Sequence, residues 1–428
     1  MLPDTATTPG SAVPGDNDPI ESVLVVHNRY RQSGGEDAVF DAESELLARH
    51  GHRVERLVVD NDEIPDRPSA SYRVRLAART VWAGAAAEAV AERARAVGAN
   101  VVHVHNFLPL LSPAVHGAAR ATGAAVVQTL HNYRLICPAA TLFRDGAPCE
   151  DCVGRRVAMP AIVHACYRDS RAQTAAVTAM LAVHRARRTW HRDVDAFVAL
   201  TAFGRDRFVA GGLPADRLLV KPNFAPDPGE AGDPGERYGQ RPFLFVGRLA
   251  EEKGLRTLLA AWRLLDTDVA LRIVGAGPLA AEVEAAAADL PGVTFVGPLA
   301  RDEVQGEMRS ARALVFPSLW YEGMPLTVIE AFAAGLPVIA SGLGAMNDMV
   351  DDGRTGRLIK PGDPRALADA VKALARDANG TASMGSAARR AYLDTYAPEP
   401  NYTQLAAIYR QAVGRRSGSK DRSDSRRY

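Results

Sequence analysis

Lysine is scarce in this chain: of 51 cationic side chains, only Lys221, Lys253, Lys360, Lys372 and Lys420 are lysines. A lysine in a loop is therefore not background, whereas a single arginine says little. Long apolar runs are absent too. None approaches the roughly 18–20 consecutive apolar residues that cross a bilayer. Residues 1–19, rich in Pro, Gly, Thr and Asp, lack the cationic start and apolar stretch of a secretory leader. The expectation is a cytoplasmic protein, with any membrane contact peripheral, on the inner face. A net charge of +1 provides no global field for nucleic acid. Cysteine is limited to Cys137, Cys149, Cys152 and Cys166, too few and too clustered for a disulfide-built fold.

The chain does have size and alternation. At 428 residues it exceeds the ~250–300 at which single cores stop growing, so two domains are expected. Short apolar stretches at Ser22–Val26, Arg53–Val59, Asn100–Val104, Ala125–Thr129 and Asp195–Leu200 alternate with helical patterns, the signature of a parallel sheet covered on both faces. The Pro-, Gly- and Asp-rich stretch from Pro222 to Tyr238 reads as a linker. The expected organisation is a tail at 1–20, a first lobe at 21–220, a linker at 221–241 and a second lobe at 242–395. A helix at 396–414 would pack back on the first lobe. The segment 415–428, with six positive and two negative side chains, reads as a disordered tail.

The second half carries chemistry in its loops. Phe243-Leu244-Phe245-Val246-Gly247 runs as a buried strand into glycine and is followed by Arg248 and Lys253 before a helical pattern. A planar fork and a point charge, five residues apart, can together hold a diphosphate and neutralise it as it leaves. Further on, Glu322-Gly323-Met324-Pro325-Leu326 opens a helix that reaches Glu330 and stops at Gly335. The free N–H groups and positive dipole at residues 323–326 suit an anion. Glu330, about five residues inside and so ~7 Å along the axis, would reach a ribose diol, and Glu322 a sugar ring. Gly275-Ala276-Gly277 lacks the third glycine of a dinucleotide fingerprint, which argues against a nicotinamide dehydrogenase.

In this order the motifs at residues 247–254, 275–278, 295–297, 317–318 and 322–340 resemble the family 4 retaining glycosyltransferases, over roughly residues 21–415. The resemblance implies an α/β GT-B fold, two doubly wound Rossmann-like lobes whose parallel sheets face a central cleft. It implies that Arg248 and Lys253 bind a donor diphosphate together with Gly275, Gly277 and the backbone of Gly323, Met324, Pro325 and Leu326. Glu330 would bind ribose and Glu322 the transferred sugar. The partners implied are a nucleotide-diphosphate sugar and a hydroxyl acceptor, a sugar, lipid-linked glycan or small molecule. Two cations and a helix dipole supply the charge for the leaving group, so no catalytic cofactor is expected. A sugar-nucleotide epimerase of the same architecture would need carboxylates poised in the first lobe, and a non-catalytic carbohydrate-binding subunit would not need the intact cationic set.

In the first half, Gly34 and Gly35 follow the opening strand. They serve either as a tight turn or as a loop that lets backbone approach a ligand. His131, just past a buried strand, matches the family's Thr-x-His segment and is implied to contact the transferred sugar. His105 holds the same kind of position one strand earlier, and His103, alternating with valines, faces the core. The four cysteines, with metal-ligand spacing at Cys149-x-x-Cys152, leave open a structural zinc, unliganded thiols or redox pairs. The Arg171–Arg192 stretch, with Trp190, reads either as a solvated arginine-rich helix or as a surface for anionic lipid headgroups.

Overall fold

The computed structural model describes residues 20–31, 34–229, 241–265 and 269–424, with side chains as far as residue 417. The expected tail through residue 19, Ser33, residues 230–240 of the expected linker, and the last four residues lie outside the described residues.

Twelve strands form two six-stranded sheets. The first comprises β1 (Ser22–Arg29), β2 (Arg53–Asp60), β3 (Val101–Val104), β4 (Ala125–Leu130), β7 (Ala196–Ala199) and β8 (Leu218–Val220), in the order β2-β1-β3-β4-β7-β8. The second comprises β9 (Phe243–Val246), β10 (Leu271–Val274), β11 (Val293–Gly297), β12 (Leu314–Phe316), β13 (Val338–Ser341) and β14 (Gly356–Ile359), in the order β11-β10-β9-β12-β13-β14. Both sheets are parallel, with registers such as Val23 beside Val101 and Leu271 beside Phe243. A two-residue hairpin, β5 (Phe143–Arg144) and β6 (Ala147–Pro148), stands apart. Helices cover both faces of each sheet, so strand residues of both parities are buried and the strands read as continuous apolar runs. This is the GT-B architecture.

In each sheet the strand order reverses beside its first strand, between β1 and β3 and between β9 and β12. Ligands of such sheets bind in the crevice outside the carboxyl ends at these switch points. The loops leaving β1, β3, β9 and β12 carry Gly34–Glu36, His105, Arg248–Lys253 and Ser318–Glu322, respectively.

The chain ends on the first lobe. The Pro398–Asp424 helix lays Leu405, Ile408, Tyr409 and Ala412 into the core beneath β1, β3 and β4. The expected disordered tail at 415–428 is corrected as far as Asp424: the helix continues, Arg415 pairs with Asp216 at 2.9 Å, and Arg416 donates to the Arg120 carbonyl at 2.7 Å. The arginines that suggested a solvated tail find partners on the first lobe.

Candidate functional site in the cleft

Three glycines shape the second-lobe wall by letting backbone approach backbone. Gly254, at φ +71°, lies against the Pro317 carbonyl, and Gly275, at φ +142°, against the Gly247 carbonyl. A Cβ at either would overlap those atoms, so both are required as glycine. Gly277, at φ +156°, lies against the Leu249 backbone. The 275–277 loop is tied to the β9 loop by Leu249 N–H to the Ala276 carbonyl (2.8 Å) and Leu279 N–H to the Leu249 carbonyl (2.9 Å). It thus forms the seat on which Arg248 and Lys253 are presented.

On that seat Arg248 is exposed and, among the described residues, makes no ion pair. Lys253 turns inward. Its ammonium meets Glu322 Oε1 at 2.7 Å and lies over the rings of Trp320 and Phe316, 5.2 and 5.5 Å from their centroids. The Ser318 hydroxyl donates to the same Glu322 oxygen at 2.6 Å. Glu322 is 5% exposed, so both interactions act where water screens them little. Ser318 fixes the carboxylate from one side while Lys253 supplies charge from the other.

The helix after Glu322 spans Leu326–Ala333 and ends where Gly335 takes φ +68°. Pro325 is its N-cap, and no side chain caps it. Its first N–H groups are therefore available to an anion. Asn223 holds Met324 in place through Nδ2 to the Met324 carbonyl, at 3.2 Å. Glu330, within the helix, pairs with Arg301 at 3.3 Å, yet burial still raises its carboxyl above the usual range.

The first lobe closes on this wall at two glycines. A Cβ on Gly323 would sit 2.7 Å from the His131 carbonyl, so glycine there sets how near the lobes stand. A Cβ on Gly35 would lie 3.8 Å from Leu326. Neither Gly34 nor Gly35 has positive φ; Gly34 is extended at φ −128°, and its N–H donates to Asp37 Oδ2 at 2.8 Å. The tight-turn reading, which needs positive φ, is thereby removed, and a Cβ at either glycine would meet no clash.

His131 Nε2 meets His105 Nδ1 at 3.0 Å, and His105 Nε2 meets Glu43 Oε2 at 3.2 Å. Glu43 is buried and paired with Lys221, whose ammonium also donates to Asn401 Oδ1 at 2.8 Å. Burial first, and His105 second, hold the His131 pKa well below the usual 6.5, so the ring is neutral near pH 7. His105 is buried, with Nδ1 on His131 and Nε2 facing Glu43. It lies beneath His131, between that ring and Glu43. His103 is in the core, as expected, between Thr129 and Tyr409.

Several groups went unnamed in the sequence reading. Ser318 lay inside a quoted motif, but nothing in the sequence gave the direction of its hydroxyl. Glu36, beside the glycine pair, has its pKa pushed up to about 7, chiefly by burial, and accepts from Asn132 Nδ2 at 3.3 Å. Trp320 has a buried indole N–H without a partner among the described residues. Trp190 is 2% exposed and packs near His116 and His184, so it cannot rest on lipid headgroups. The four cysteines are free thiols. Burial raises Cys152 to about 11, with the other three close enough to add to the effect.

Residues 240–377 match the family described as glycosyl transferases group 1. A GDP-mannose-dependent alpha-(1-6)-phosphatidylinositol monomannoside mannosyltransferase of Mycolicibacterium smegmatis is 31% identical over 237 residues, 50% of this chain and 62% of that protein. A 2-deoxystreptamine glucosyltransferase of Streptomyces kanamyceticus is 38% identical over 140 residues, 31% of this chain and 36% of that protein. The chain thus spans less than two thirds of the length of either relative. Among solved structures, HepE of Anabaena in complex with UDP superposes with a TM-score of 0.63 at 16% identity, covering 90% of this chain and 98% of that one. Sucrose-phosphate synthase of Thermosynechococcus elongatus does so at 0.65 and 18%, covering 92% and 99%. These likenesses carry the two-lobed GT-B fold, and the family match encloses Arg248, Lys253, Glu322 and Glu330: residues 240–377 are similar to the group 1 glycosyltransferases.

Proposed function

We propose that the chain transfers a sugar from a nucleotide-diphosphate donor to a hydroxyl acceptor with retention of anomeric configuration. The observation that carries this reading is the convergence of Lys253 on Glu322, 2.7 Å apart, in front of an uncapped helix N-terminus with Glu330 farther along the same helix. Arg248, Lys253 and the first N–H groups of the helix hold the diphosphate, Glu330 the ribose, and Glu322 and His131 the sugar.

No side chain is assigned as a nucleophile, so the reaction is a front-face substitution. The bond from the anomeric carbon to the leaving oxygen breaks and its electron pair goes to the diphosphate. The acceptor oxygen bonds the same face of that carbon, and its proton passes to a departing phosphoryl oxygen. Lys253, Arg248 and the helix dipole stabilise the charge that develops. Neutral His131 offers a hydrogen bond without adding a cation beside an oxocarbenium-like centre. The site works without a metal because the protein supplies the compensating charge.

Glu36 is the one observation that speaks for the epimerase alternative, which calls for a first-lobe carboxylate. Incubation with a panel of nucleotide sugars, GDP-mannose and UDP-glucose included, separates the two. Transfer predicts release of nucleoside diphosphate, acceptor-dependent product of the donor's anomeric configuration, and activity that survives removal of divalent ions. An inverted product, or activity only with added magnesium or manganese, contradicts the mechanism. An epimerised sugar formed without acceptor favours the alternative.

A further inference from the structure

All four cysteines of the chain meet in one place. Cys137 follows the short Tyr133–Leu135 turn, and the β5–β6 hairpin runs directly into the Cys149-Glu150-Asp151-Cys152 turn. The five-residue Met159–Val163 helix then brings Cys166 back beside Cys152. The Cys149 N–H donates to the Leu142 carbonyl at 2.7 Å, and the Ala161 backbone donates to the Cys152 thiol. A hairpin followed by a Cys-x-x-Cys turn, with two further cysteines returning to it, is the arrangement that presents sulfurs to one tetrahedral ion.

The segment needs such a fastener. Between Cys137 and Ser170 its regular structure amounts to that hairpin and that helix, and its own apolar cluster holds only three buried residues, Cys152 among them. Six of the eight described non-glycine residues with positive φ fall here: Ala140, Leu142, Asp145, Ala165, Arg168 and Asp169. Backbone in that region persists only where something over-determines it; Cys137 and Leu142, with Ala139, Val153 and Tyr167 alongside, tie the segment to the first-lobe core at scattered points, and a shared ion would join its four cysteines between them. The sulfurs are neighbours without being locked. Among the described residues no three lie within 4.8 Å of one another, so a bound ion would draw them together.

We propose that Cys137, Cys149, Cys152 and Cys166 bind one zinc ion as four thiolates, releasing their protons, and that this closed site staples the 137–166 segment against both lobes. The second half of the proposal rests on Glu150, between two of the ligands. Glu150 accepts from Arg207 of the first lobe at 2.8 and 3.0 Å, and its carboxylate lies near the phenol of Tyr321 of the second, the residue next to Glu322. The metal has no open position and touches no substrate. Its part is to hold an interlobe contact at the rim of the cleft.

The test is on the full chain purified without chelator. Elemental analysis is expected to give about one zinc per chain, and X-ray absorption four sulfurs at about 2.3 Å. Thiol reagent should modify no cysteine until a strong chelator is added, and all four afterwards. Cys152→Ser should lose the metal and melt at a lower temperature. Should that variant fail to fold, the metal and thiol counts on the unaltered protein decide by themselves. Metal-free, folded protein with four thiols reactive from the start overturns the proposal. So does a Cys149–Cys152 disulfide in the native protein, or zinc retained after Cys149 and Cys152 are both replaced by serine.

Discussion

The two lobes share a sheet architecture and use charge in opposite ways. The first lobe buries its titratable groups: His27, Asp37, Glu43, His103, His105, His116, His184 and Lys221 are all nearly inaccessible. Among the described residues, the charged groups that the second lobe buries to that degree are Arg312 and Glu322. Its working charges stand at the ends of strands, in the cleft. One lobe invests polar groups in bracing, from Lys221 and the C-terminal helix through Glu43 and His105 to His131; the other places them where a ligand would meet them. Substitutions in the first lobe should therefore appear first as lost stability, and those at the second lobe's rim as lost chemistry or binding.

The largest expected effect is on acid stability. The folded first lobe holds His103, His116 and His131 neutral with pKa values below 6.5, and His184 down at about 4, with burial the leading cause in each. Below pH 6.5 the unfolded chain takes up protons that the folded chain refuses. Stability then falls as pH drops toward 4, by about 1.4 kcal/mol per unit for each fully affected group. Glu36, raised from 4.5 to about 7, acts oppositely, costing stability as pH rises between those values, but it is one group against several. Melting temperatures at pH 7 and pH 5 check this; an unchanged value would mean the histidines are not held neutral.

Next is Glu43→Ala, which leaves the Lys221 ammonium buried without its carboxylate. Removing one partner of a buried pair costs about 3–5 kcal/mol, to be read from denaturant melts. A loss below about 1 kcal/mol would erase the contrast between the lobes. Lys253→Ala sharpens it from the other side. It should lower turnover by about 10²–10³, the equivalent of roughly 3–4 kcal/mol for one preorganised charge on the leaving group, with a smaller loss of stability than Glu43→Ala, since the Lys253–Glu322 pair is more open to solvent than Lys221–Glu43. Unchanged turnover at saturating donor would take Lys253 out of the phosphate clamp.

The same contrast explains what the sequence made legible. In the second lobe the functional side chains sit within a few residues of a strand end and of a glycine that a close backbone approach demands, so Gly254, Lys253, Glu322 and Glu330 could be read in series. Ser318 needed three dimensions, because a hydroxyl's direction is not encoded by spacing. In the first lobe, Glu43 looks like any helical glutamate until Lys221, 178 residues away, is folded onto it. His105 and His131 share a position at successive strand ends, yet only the fold shows that His105 lies beneath His131. Composition misled at residues 415–424, where arginine and serine suggested disorder but Asp216 and the Arg120 carbonyl supply partners for Arg415 and Arg416.

The central claim is that the second-lobe helix is a nucleoside diphosphate site, with Glu330 on the ribose. Calorimetric titration of the parent chain and of Glu330→Ala with GDP and UDP tests it most directly. The account predicts one site per chain for at least one of the two. In Glu330→Ala the dissociation constant should rise by roughly 10- to 150-fold, corresponding to a lost charge-assisted hydrogen bond of about 1.5–3 kcal/mol. Binding of equal strength in both proteins, or no binding of either nucleotide to the parent, would contradict it.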